Sequence, residues 1–140
     1  MITNQRQYLN SQAQAARFRQ ALAAPGAEGL HPKAAKAMRE GLRSQLEDLE
    51  VELAEYDALR EGRVVTLEAE SIVGIGEALI KARIVRRLTQ KELAERLSLA
   101  EQQVQRYEST QYRGVAVERL QQVADALKLR VREVFTLEQT

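Results

Sequence analysis

Four polar side chains in the C-terminal half, Glu101, Gln102, Gln103 and Arg106, are of types that can read a hydrogen-bonding pattern. A glutamine amide presents a donor and an acceptor side by side, which matches the major-groove edge of adenine. The arginine fork matches the two acceptors of guanine, and a carboxylate can accept from cytosine. Around them, Gln90, Lys91, Gln105, Tyr112 and Arg113 are of types that donate to phosphate oxygens, contacts that position a protein without reading sequence. No catalytic set competes with this reading. The chain has no cysteine and a single histidine, His31, so thiolate and multi-histidine metal sites are excluded. Ser/His/Asp chemistry would have to use His31, which has no placed partner and is better read as the residue that starts a helix before Pro32. No enzyme activity, cofactor or metal is expected.

Base reading requires a helix held rigidly at its partner's edge. Thr89 followed three residues later by Glu92 is a capping box, so a helix begins there. Leu93, Ala94 and Leu97 fall on one face of it, and Ser98-Leu99-Ala100 interrupts the pattern. A second helix follows from about Glu101 to Tyr107, with Val104 and Tyr107 facing inward and Glu101, Gln102, Gln103, Gln105 and Arg106 facing out. Two helices joined by so tight a turn fix the second at an angle that lets it enter a major groove while the first crosses the backbone. The small Ala94 suits the close approach between them.

Leu88 to Glu108 resembles the helix-turn-helix of the Xre/Cro/phage-repressor family. The likeness lies in Thr89-Gln90-Lys91-Glu92-Leu93-Ala94, in Leu97, in Gln102-Gln103-Val104 and in Arg106-Tyr107-Glu108. It implies a five-helix domain extending from Ile75 to Phe135. Its first helix would be Gly76 to Arg87, its fourth Val117 to Leu127, and its fifth would begin near Val131 and end at Val134-Phe135. It also implies that Gln90 touches phosphate or an outer base, that Glu101, Gln102 and Arg106 take base-reading positions with Gln103 beside them, and that Tyr112 and Arg113 meet the backbone. The chain departs from the family pattern at Ser98, where glycine is common in the turn, and at Ala100, where Ser or Thr often caps the reading helix. Met1 to Tyr8, Leu49 to Tyr56 and Glu101 to Glu108 together resemble bacterial Xre-type regulators with a helical N-terminal extension.

That extension can be read directly. Residues from about Thr3 to Ala24 have helical spacing in Tyr8, Leu9, Ala15, Phe18 and Leu22, with Thr3 as the cap and Pro25-Gly26 as the stop. From Pro32 to Glu61 a long helix carries Leu42, Leu46, Leu49, Leu53 and Tyr56 in 4-3-4-3 spacing, an apolar seam that needs a partner in the same chain or another. Val64 to Leu67 reads as a linker or a short strand. Gly74 and Gly76 lack the Gly-Lys-Ser/Thr of a phosphate loop and read as the start of the next helix.

The expected architecture is therefore all-α: an N-terminal helical hairpin (1–62), a linker (63–70) and a repressor-like helix-turn-helix domain (71–140). Of the 140 residues, 44% are hydrophobic and 29% charged, the balance of a globular protein. Net charge is +1, too little to argue for nucleic acid by itself, so position must carry that case. No run approaches the roughly 20 apolar residues of a membrane span, and no signal peptide is evident, so a cytoplasmic location is expected. The expected function is sequence-specific binding of double-stranded DNA as a homodimeric regulator, most simply a repressor. The alternative is an antitoxin whose hairpin binds a toxin protein while its helix-turn-helix autoregulates the operon.

Overall fold

The computed structural model describes residues 1–24 and 29–139. Among them are six α-helices and no strand: α1 (Gln5–Ala23), α2 (Pro32–Arg60), α3 (Ile75–Val85), α4 (Gln90–Leu97), α5 (Glu101–Ser109) and α6 (Val117–Ala126), with one 3₁₀ turn at Ile72–Gly74. The chain divides into two compact units, residues 1–64 and 65–140. Val64 to Leu67 is neither helix nor strand. The expected stop at Pro25-Gly26 lies outside the described residues.

In the first unit α1 and α2 form an antiparallel hairpin. Tyr8 near the start of α1 lies with its ring 5.0 Å from that of Tyr56 near the end of α2, and its hydroxyl donates to Asp57 Oδ1 at 2.7 Å. At the other end the Arg39 guanidinium donates to the carbonyl of Leu22 at 2.6 Å. The leucine seam of α2 thus meets α1 of the same chain. The cap of α1 is Asn4 rather than Thr3: Asn4 Oδ1 accepts from Gln7 N at 2.8 Å, while Thr3 spends its own N–H and hydroxyl on Gln7 Oε1. Asn is at least as good a cap as Thr, and it stands one residue nearer the first apolar turn. His31 caps α2 through Nδ1, which accepts from Lys33 N, and Pro32 occupies the first turn, where its missing donor costs nothing.

In the second unit, α3 packs on α5 and α6, and α4 packs on the same two helices. Ile80, Leu93, Val104, Val123 and Leu127 are almost completely buried at their meeting point. The C-terminal carbonyls of α6, which have no partner within the helix, are met by arginines. Arg86 donates to Leu127 O and Lys128 O, and Arg96 donates to Ala126 O. Lys128 then turns left-handed at φ 55° and ends the helix.

The expected fifth helix near Val131 is not formed. Residues 129–139 have no regular structure, and Val134 and Phe135 are 74% and 81% exposed. A segment this short cannot recover the cost of helix nucleation unless an apolar face packs on something, and here none does.

Candidate nucleic-acid interface

Local chemistry places α5. Thr89 Oγ1 accepts from Glu92 N (3.0 Å) and Glu92 Oε1 accepts from Thr89 N (3.2 Å), which closes the capping box and starts α4 where the sequence predicts. Leu93 and Ala94 are buried, at 0% and 1% exposure, on a helix that packs against α5. The turn then requires Ser98 to adopt φ 56°, ψ 40°, a left-handed conformation that glycine takes at lower cost. α5 starts at Glu101, with Ala100 at the cap position offering no side-chain bond, and runs to Ser109, two residues beyond the expected end.

Val104 is fully buried, and so is Glu108 one turn on. Tyr107, expected on the inner face, is half-buried at its edge, with its ring 5.5 Å from that of Tyr112.

The buried Glu108 is a feature the residue-by-residue reading missed. Its carboxylate receives Arg83 from α3 in a two-pronged bond, Nε to Oε2 at 2.6 Å and Nη2 to Oε1 at 2.8 Å, and both residues are at most 4% exposed. Arg83 also donates to Leu88 O (2.8 Å), and Gln90 Nε2 donates to Glu108 Oε1 (3.0 Å). An ion pair with so many hydrogen bonds compensates much of its desolvation, and loss of either partner would strand a buried charge. One signal was available. Arg83 falls in the apolar stripe of α3 with Leu79, Ile80 and Ile84, and Glu108 falls four residues after Val104, so two opposite charges occupy inward positions on different helices.

The network joins α3, the start of α4 and the end of α5, and it fixes the angle of α5. It also tethers Gln90, whose half-buried side chain is held at the first turn of α4.

The remaining residues singled out from sequence separate by exposure. Glu101, Gln102, Gln105 and Arg106 are exposed on α5, and Gln105 reaches back to Glu101 at 3.5 Å. Gln103 is half-buried on the flank. Lys91 and Arg113 are exposed.

Tyr112 is different: it is 4% exposed, so the expectation that its side chain meets a DNA backbone is corrected. The loop explains why. Gln111 and Tyr112 are both left-handed (φ 53° and 59°), followed by Gly114 at φ 74°, and this path turns the Tyr112 ring inward. Gly76, in the first turn of α3, makes room for it, since a Cβ there would fall on the Gln111 carbonyl. Burial, and after it the nearby Glu108 carboxylate, push the Tyr112 hydroxyl's pKa well above its ordinary value of 10.0. Among the described residues that hydroxyl has no hydrogen-bond partner.

The geometry is thus a short, exposed, glutamine- and arginine-bearing helix, held from behind by an apolar core and a buried ion pair, with a basic residue in the loop after it. Among the described residues no helix is long and apolar enough to cross a membrane. No curated protein and no solved structure matches the chain significantly. A family model does match, over residues 78–140, and it describes the Cro/C1-type helix-turn-helix DNA-binding domain. The matched span covers the buried network, the capped α4, the turn at Ser98 and α5. Residues 78–140 therefore match the Cro/C1-type helix-turn-helix DNA-binding domain.

Proposed function

We propose that this chain is a DNA-binding regulator, a sequence-specific repressor that binds as a homodimer and reads the major groove with α5. The observation that carries this is the outward face of α5: Glu101, Gln102, Gln105 and Arg106 are all exposed on a helix whose opposite face is locked by Val104 and Glu108. Gln102 and Arg106 are the principal base readers, with Glu101 and Gln103 at the margins of the contact. Lys91, Gln105 and Arg113 supply phosphate contacts. Gln90, fixed by Glu108 at the first turn of α4, sits where a helix N-terminus and an amide can meet a phosphate together. Two copies would read half-sites in successive major grooves, about 34 Å apart.

Arg106→Ala tests the assignment. Measured on a selected operator, it weakens binding by about 1–3 kcal/mol and relaxes preference at one base position in each half-site. Lys91→Ala instead weakens binding to all sequences alike and reduces the salt dependence by about one counterion. An Arg106→Ala protein with unchanged affinity and unchanged preference would remove Arg106 from the reading face.

A further inference from the structure

The start of α2 holds an unbalanced charge. Residues 32–43 carry Lys33, Lys36, Arg39 and Arg43 against Glu40 alone, although residues 1–64 as a whole carry nine bases and nine acids. Lys33, Lys36, Glu40 and Arg43 recur at 3-4-3 spacing, so they form one stripe about 15 Å long. The stripe lies roughly 130° around the helix from the leucine seam that meets α1, and all four of its residues are exposed. Arg39, by contrast, is half-buried and donates to Leu22 O. The packing of the hairpin therefore makes no use of the stripe.

Helix stability does not account for it either. A helix favours acids near its N-terminus and is disfavoured by bases there, yet the first turn of α2 has no acid. A merely solvated face gains from opposite charges paired at i,i+4 spacing. Lys36 and Glu40 have that spacing, but among the described residues Lys33, Lys36 and Arg43 enter no ion pair.

Three such cations on an exposed helix face suit a polyanion. Cations aligned along a phosphate backbone release its condensed counterions, and this needs no precise fit. The rest of α2 limits where a polyanion can lie. Residues 44–59 hold six acids and no base, so the field there repels phosphate and leaves only the first part of the helix open to it.

We propose that the stripe is a second DNA contact, in which Lys33, Lys36 and Arg43 hold phosphates of the duplex flanking the site that α5 reads. This rests on the DNA-binding reading above and extends it to the N-terminal unit. The contact reads no sequence, and its strength comes from tethering. Residues 63–69, which have no regular structure, join the two units. Once α5 is seated, the stripe meets nearby phosphates at a raised effective concentration. The centre of the stripe lies about 33 Å along α2 from Arg60, where the helix ends. One turn of duplex is about as long, so flanks longer than a turn give the stripe phosphates to hold.

The test compares two duplexes by fluorescence anisotropy with the full-length chain. One is the selected operator trimmed to its half-sites. The other is the same operator with about 15 base pairs of arbitrary sequence on each side, more than one turn. The wild-type chain should bind the flanked duplex about 10-fold more tightly in low salt, whatever the flanking sequence. K33Q/K36Q/R43Q, whose glutamines keep the helix propensity, should bind the trimmed duplex as the wild type does and lose the gain from the flanks. Its salt dependence on the flanked duplex should fall by about three counterions per chain. E40Q, which removes the one acid of the stripe, should bind the flanked duplex about 2-fold more tightly than the wild type, a gain that misfolding would not produce.

A triple variant that keeps the whole gain, or a wild-type chain that gains nothing from the flanks, would overturn the contact and leave the reading by α5 standing. A wild-type chain that binds neither duplex would remove the DNA-binding reading and the flanking contact together.

Discussion

Gly76 is the residue on which the shape of the loop after α5 depends. It sits in a helix, where alanine would ordinarily gain up to about 1 kcal/mol in propensity. Here the Gln111 carbonyl occupies the space a methyl would need. Gly76→Ala is therefore expected to destabilise the domain by about 1–3 kcal/mol, the range for forcing extra volume into a packed contact. The displaced loop should also weaken DNA binding through Arg113. Urea unfolding and a titration with operator DNA would measure both effects.

Tyr112 makes the complementary case, a buried residue with one unsatisfied atom. Tyr112→Phe removes a hydroxyl that has no partner among the described residues, so stability near neutral pH should be unchanged or higher by about 1 kcal/mol. Above the ordinary tyrosine value the two proteins diverge. The buried hydroxyl's pKa is raised in the folded state, so its contribution is fully present below about pH 10 and is lost as pH rises past it, by about 1.4 kcal/mol per unit. The phenylalanine variant should lose stability less steeply across that window. Unfolding curves at a series of alkaline pH values test the sign.

At the scale of the element, the turn between α4 and α5 carries two local compromises. Ser98 holds a left-handed conformation, and Ala100 leaves the first amides of α5 without a side-chain cap. Ser98→Gly and Ala100→Ser should each stabilise the domain by about 1 kcal/mol. They are neighbours in one turn, so the double variant should depart from their sum by about 0.5 kcal/mol or more. A cap-free α5 would show the larger effect from Ala100→Ser in amide-exchange protection of its first turn.

These same elements show what could be read from the sequence. The capping box at Thr89 and Glu92, the buried Leu93 and Ala94, and the outward Gln102 and Arg106 follow from local spacing alone, and the structure has them there. Tertiary decisions were less legible. Tyr112 turns inward because Gly76, on another helix, leaves a space for the loop. Glu108 is buried because Arg83 reaches it across the core. The segment after Lys128 has residues a helix would accept but no surface to pack on, and periodicity cannot report the absence of a partner. In the hairpin the spacing of Leu42 to Tyr56 predicts a seam, and only the structure shows that α1 of the same chain half-covers it.

At the scale of the whole molecule, the chain divides into two compact units. The C-terminal unit carries the exposed α5 proposed to read DNA, and the proposed homodimer would set two such helices on one duplex. Two reading helices on one DNA is the arrangement that turns a short, modest contact into a specific one, because two half-sites must be correct together. The measurement that tests this most directly is selection of bound DNA from a random duplex pool by the full-length protein. The account predicts an enriched palindrome whose half-sites are about 10 base pairs apart, centre to centre, or a multiple of that. A pool that shows no enriched sequence after repeated rounds at low salt would contradict it.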